Sequence, residues 1–201
     1  MLQVDDVAQQ ALQALSIAAG AAQGLAAETL RALASLETWP AGLKQLLPLL
    51  VKHSACCRDS AADLAAIRAA DAGGSVQNML VGALGDLQGV WSSAEEKALL
   101  LALPLPAMQL LLTSDLLCVP SEDTVLHTAA QYVQAQKLAK KAAARAALAP
   151  LIRAPQLSAF ALCWTALAGS SQQLLSCHAQ QLKRLLLKKT IAQAAEESVT
   201  E

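Results

Sequence analysis

An all-α fold, an array of short helix pairs packed as a helical bundle or short solenoid, follows from three observations on this 201-residue sequence. Hydrophobic residues make up 55% of the chain, but much of that share is alanine and leucine, with one Tyr, one Phe and few of the β-branched residues that strands favour. Apolar residues recur at the i, i+3, i+4 and i+7 spacing of a helix face. Prolines, serines and acidic pairs stand where those runs begin, as helix starts require.

In chain order, Val7, Ala11, Leu15 and Ala18 share one stripe of a helix over Val4 to Ala19, which Gly20 and the small residues up to Gly24 end. Glu28 to Leu36 forms a second short helix. Trp39-Pro40 interrupts the pattern, because a residue before proline avoids the helical region. Leu43 to Val51 resumes it, with Pro48 as a kink or break. A helix follows from Asp59 to Ala70, and Asp71-Ala72-Gly73-Gly74-Ser75 is the clearest loop and the expected site of proteolysis. Val76 to Leu84 and Glu95 to Leu103 are helices, the second with Ser93 as N-cap and Glu95 and Glu96 in its first turn.

The most sharply punctuated stretch runs from Leu103 to Ser158. Pro106, after Leu103-Pro104-Leu105, suits the first turn of a helix, whose early N–H groups lack partners. Met108, Leu111 and Leu112 then form one apolar stripe, and Thr113-Ser114-Asp115 breaks it with side chains that bond their own backbone. After the apolar connector Leu116-Leu117-Cys118-Val119, Ser121 is expected to cap a helix whose first turn holds Glu122 and Asp123, both facing the positive end of the dipole. That helix carries Val125, Ala129, Tyr132 and Val133 on one stripe. Leu111, Leu117, Val125 and Val133 are expected to share one core. A basic alanine-rich helix spans Leu138 to Ile152, Gln156 to Ala168 reads as the most buried helix, and Gln172 to Ala194 closes the chain with an apolar and a basic side.

Leu103-Pro104, Met108, Leu111-Leu112, Ser114-Asp115, Leu117, Val119, Ser121-Glu122, Val125 and Tyr132-Val133 together resemble the core of a BACK domain, the helical module that follows the BTB domain in BTB and BTB-kelch proteins. Downstream, Leu148 to Ser158 is similar to the end of that family's next helix pair, where Arg153 and Pro155 precede Leu157-Ser158. Upstream, Leu84 to Leu103 resembles the preceding helix and loop. Tyr132 stands where the family usually has tryptophan. The resemblance implies residues 1–37 as a helical lead-in similar to the tail of a BTB domain, 38–168 as the BACK-like domain and 169–201 as a C-terminal amphipathic helix. It also implies a non-enzymatic protein-interaction spacer in a substrate adaptor for cullin-based ubiquitin ligases, with a cullin reached through an upstream BTB domain. A free-standing helical scaffold with no ubiquitin link is the alternative.

Net charge is only −1, yet residues 1–123 hold six basic and thirteen acidic side chains while residues 124–195 hold nine basic and none acidic. With no global field and few aromatic stacking residues, nucleic acid is not expected as a partner. The basic residues Lys137, Lys140, Lys141 and Arg145 read as a solvated helix face. Pro155 to Ala168, the most apolar candidate for a membrane span, would reach only about 21 Å as a helix against a hydrocarbon core of about 30 Å. An acidic start and an odd number of cysteines favour a reducing interior, cytoplasmic or nuclear.

His53, Cys56 and Cys57 have ligand-like spacing on a helix, but a structural zinc site needs a fourth ligand, so buried cysteines and a surface histidine are the preferred reading. His127 near Asp123 reads as a partly exposed helix residue. No nucleophile elbow, metalloprotease helix or phosphate loop is present. The sequence therefore assigns no catalytic, cofactor-binding or metal-binding residues and no cofactor.

Overall fold

The computed structural model describes residues 13, 14, 17, 27–36, 38–52, 54–57 and 63–162. Among these the fold is all-α, as the sequence predicts, and the one extended pairing is an isolated parallel bridge between Asp86 and Cys118. No described helix is long and apolar enough to cross a membrane. The expectations for residues 1–12, 15, 16, 18–26, 37, His53, 58–62 and 163–201, among them the helix over Val4 to Ala19, the start of the Asp59 to Ala70 helix and the C-terminal amphipathic helix, lie outside the described residues. The chain forms two compact units, Met1–Cys118 and Val119–Glu201.

The first unit is built from α1 (Ala27–Ala34), α2 (Ala41–Lys52), α3 (Leu64–Ala70), α4 (Ser75–Leu84), α5 (Leu87–Ser92), α6 (Ala94–Ala102) and α7 (Leu105–Leu112). Helix α4 packs against α1 and α7, α6 against α2 and α5, and α3 against α7. The core is leucine and methionine: Leu47, Leu50, Met79, Leu80, Leu84, Leu100, Met108 and Leu111 are all fully buried. Here α7 exceeds the sequence reading. Every residue from Pro106 to Leu112 is buried, Gln109 included, so the helix is enclosed on all sides rather than along one stripe.

Caps written close in sequence to their helices are formed as expected. Pro106 sits in the first turn of α7, and the Ser93 hydroxyl accepts the Glu96 N–H at 3.3 Å to start α6. The Thr113 hydroxyl donates to the Gln109 carbonyl at 2.8 Å, and Ser114 Oγ accepts the Leu116 N–H at 3.2 Å, which ends α7 and turns the chain. Glu96, besides its place in the first turn of α6, pairs with Lys44 of α2 at 2.6 Å.

Three departures have plain physical causes. Pro48 lies inside α2 without ending it, because Leu47, Leu50 and Val51 are buried on both sides of it and tertiary packing overrides the lost hydrogen bond. Leu87–Ser92 is a helix of its own, started by Asp86, whose carboxylate accepts the Gly89 N–H at 3.1 Å. The 71–75 segment is a knot rather than an open loop. Gly73 and Gly74 take φ of 75° and 70°, a backbone only glycine adopts readily, and this folds Asp71 back over the start of α4. Its buried carboxylate accepts the Val76 and Gln77 N–H groups at 2.9 and 3.0 Å. Asp71→Ala is therefore expected to cost about 1–2 kcal/mol in a denaturant melt, the range for a lost N-terminal cap; a change below half of that would show that the carboxylate does not hold α4.

Trp39, read from sequence only as an interruption, is a buried anchor. Its indole lies against Gly82, where a Cβ would come within 2.9 Å of Nε1, so α4 needs glycine at that position.

Candidate functional site

The second unit holds α8 (Glu122–Ala135) and α9 (Leu138–Leu148), followed by the 3₁₀ turns Ala149–Leu151 and Ala154–Gln156. The predicted stripe of α8 is its inner face: Val125, Ala129, Tyr132 and Val133 are buried, with Leu126 and Thr128. Helix α9 packs on α8 and contributes Ala144 and Leu148, while Ile152, Leu157 and Leu162 complete the core.

What fixes this unit is a pair of carboxylates. Glu122 Oε1 accepts the Arg153 N–H at 2.7 Å, and Asp123 Oδ1 accepts the Ser158 N–H at 2.9 Å. Two neighbouring residues at the start of α8 thus hold both ends of the segment Arg153 to Ser158, about thirty residues downstream. Within the segment the Ala154, Gln156 and Leu157 N–H groups bond to the nearby Ile152, Arg153 and Ala154 carbonyls and Pro155 has no N–H to give, so the two carboxylates take the amides at its ends, and charged acceptors are the strongest partners those could have. Ser158 Oγ then accepts the Ala161 N–H at 3.0 Å, starting the next helical turn.

This corrects the role given to Ser121. It occupies the N-cap position with extended backbone and its carbonyl accepts the Thr124 N–H, but its hydroxyl makes no cap bond. The neighbouring acids, read from sequence as dipole partners only, are recruited by the distant segment instead. Sequence could have flagged this only through Glu122 being buried while acidic, and burial is not visible in a first-turn acid.

The remaining predicted positions divide between the two units. Leu103, Leu111 and Ser114 are buried in the first unit, Pro104 caps α7, Leu117 is half-buried and Asp115 exposed. Val119 is half-buried, Arg153 and Pro155 expose their side chains, and His127 is exposed on α8. The burial expected of Leu111, Leu117, Val125 and Val133 is met at Leu111, Val125 and Val133 and fails at Leu117, which is only half-buried. The connector is also less apolar in effect than in composition. Leu116 is 72% exposed, and the backbone of Cys118 carries the order, its N–H donating to the Gly85 carbonyl at 2.9 Å. Phe160 likewise is 75% exposed, against the expectation of a most-buried helix there, because the core side of this turn is taken by Ala161 and Leu162.

Residues 90–165 match the family model described as BTB And C-terminal Kelch, the BACK domain. That stretch is a BACK-family segment. No curated protein and no solved structure matches the chain. The BACK match runs from Val90 in α5 through the Glu122 and Asp123 contacts to the turn after Ser158, so the residues that carry the resemblance are also those that lock the second unit. Among the described residues no three His, Cys, Asp or Glu side chains converge as a metal set.

Tyr132, at the position where BACK domains usually have tryptophan, is 1% exposed, and burial holds its phenol above the ordinary value of 10.0. A native value raised above the unfolded one means that stability is intact below about pH 10 and is lost as pH rises through the native value. Tyr132 is the only tyrosine, so its phenolate absorbance reports on it alone. Wild type is expected to lose stability above about pH 10 more steeply than Tyr132→Phe; equal slopes in denaturant melts would show that the phenol is not protected by folding.

Proposed function

We propose that this chain is a non-enzymatic protein-interaction module that serves as the BACK-type spacer of a BTB-type substrate adaptor for cullin-based ubiquitin ligases, working in the cytoplasm or nucleus. The observation that carries this reading is the clasp of Glu122 and Asp123 on Arg153 to Ser158 within the BACK match. A spacer must hold its helices at fixed angles. A helix pair locked at both ends of its return segment by charged hydrogen bonds resists the local opening by which loosely held segments move.

The test is a pull-down of a purified cullin N-terminal region by the 201-residue chain and, in parallel, by the same chain joined to a BTB domain. Binding is expected with the BTB-containing protein and weak or absent with the chain alone, because interface affinity is concentrated in a few central residues and a partial surface loses it steeply. Absence from both would favour the free-standing helical scaffold with no ubiquitin link. Tight binding by the chain alone would place the cullin surface within it.

A further inference from the structure

We propose that the first two turns of α9 are a docking surface for an acidic segment of a partner protein, one that carries a bulky apolar residue beside its carboxylates. Leu138, Lys141, Ala142 and Arg145 stand at i, i+3, i+4 and i+7, so they form one stripe about 10 Å long on this helix. Lys137 and Lys140 flank its beginning. The sequence predicts a solvated face for these four cations. Lys137 and Lys140 are exposed accordingly, but Lys141 and Arg145 are half-buried, and Leu138 is 86% exposed beside them.

The charge of the occupant follows from what surrounds α9. Among the described residues no carboxylate pairs with any of the four cations. Residues 124–195 hold nine basic side chains and none acidic. Helix α8, which packs on α9, has acids only at its start, and both are engaged, Glu122 by the Arg153 N–H and Asp123 by the Ser158 N–H. The link of residues 136 and 137 is short enough to make the two helices antiparallel neighbours, which puts those acids at the end of α8 remote from Leu138. Arg145 sharpens the demand for an anion. Its Nε is buried and has no acceptor among the described residues, so part of the guanidinium hydration is already lost in the free protein. A carboxylate that pairs with the rest of the guanidinium fork then meets a smaller desolvation cost and a geometry suited to two parallel hydrogen bonds.

The class of partner follows from the apolar part of the surface. Among the described residues of the second unit Phe160 is the one exposed aromatic ring, too few to stack successive bases of a single strand. Leu138 is the one bulky apolar side chain on the exposed side of α9, where its other apolar residues are alanines, and a helix that lies on a membrane buries a broad apolar face. A protein segment with carboxylates for Lys141 and Arg145 and an apolar residue against Leu138 matches both the charge and the small apolar contact, as in interfaces where a polar rim surrounds an apolar centre.

The test is fluorescence anisotropy of a labelled helical peptide of glutamate, leucine and alanine titrated with the 201-residue chain. Saturable one-to-one binding is expected, and it should weaken as added salt screens the exposed charges. Lys141→Glu with Arg145→Glu is expected to weaken it by more than about 10-fold, because like charges then face each other. Leu138→Ala should weaken it to a smaller degree. Since replacements at half-buried positions can disturb packing, the charge-reversed chain, its fold checked by circular dichroism, is also titrated into the peptide with lysine in place of glutamate, where binding is expected to appear. Single-stranded DNA and phosphatidylserine vesicles are the competing anionic probes. The proposal is overturned by no saturable binding to the wild-type chain, by equal affinity of the charge-reversed chain for the glutamate peptide, or by its failure, when folded, to bind the lysine peptide. An unchanged affinity in Leu138→Ala, or tighter binding of DNA or vesicles than of the peptide, overturns it as well. The proposal stands apart from the cullin reading, which none of these titrations touches.

Discussion

Tyr132→Ala is expected to lower the unfolding free energy of the second unit by about 3–5 kcal/mol, the range for deleting a buried aromatic ring. The ring is the largest side chain among those fully buried, and it projects from the middle of the α8 inner face alongside Val125, Ala129 and Val133. Its removal leaves a cavity that the neighbours can close only in part, since helix packing fixes their backbones. The same unit is small, and a domain is typically stable by only about 5–15 kcal/mol in all, so the variant should show helical signal melting at markedly lower denaturant. Two transitions are the appropriate description, because the chain has two compact units. A loss below about 1 kcal/mol in the transition assigned to the second unit would mean that the α8 stripe does not pack as a core.

Tyr132 also shows how much the sequence discloses and where it stops. Its burial is legible, because helical periodicity places it with Val125, Ala129 and Val133 on a single face and the structure buries all four. Local caps are legible for the same reason: Ser93 and Thr113 satisfy backbone groups within four residues, a distance at which composition and geometry are coupled. The BACK resemblance, carried by residues in this part of the chain, matches the family segment over 90–165.

Interactions that depend on a second segment were not legible. Nothing adjacent to Asp71 says that two glycines of positive φ will fold its carboxylate onto α4, and nothing adjacent to Pro48 says that the core will keep α2 continuous through it. Burial errors have the same origin. Leu116 and Phe160 are apolar by composition but face outward because Cys118 backbone bonds and the Ala161 and Leu162 side chains fix which way their short segments turn. A one-dimensional pattern gives the face of a long helix; in a four-residue segment there is no pattern to read.

Replacing both acids, Glu122→Ala with Asp123→Ala, is expected to cost about 3–6 kcal/mol, from two hydrogen bonds to charged groups at about 1.5–3 kcal/mol each. The bonds share one target segment, so the two losses should not simply add, and a double-mutant cycle measures the coupling. The acids also face the positive end of α8, but that contribution is only a few tenths to about 1 kcal/mol per charge near the surface. Glu122→Gln with Asp123→Asn separates the two effects: amides keep an acceptor oxygen for the Arg153 and Ser158 N–H groups while removing the charge, so a substantial part of the lost stability should return. The local readout is amide hydrogen exchange, which should accelerate at Arg153 and Ser158 in the alanine variant before the inner residues of α8 respond, because the return segment opens first when its anchors are gone. Unchanged exchange at both amides would show that the carboxylates do not clasp that segment. For a spacer the distinction matters: a variant that keeps the α8 core but frees Arg153 to Ser158 should still fold and still be recognised through any adjoining domain, while losing the fixed angle at which it presents whatever follows.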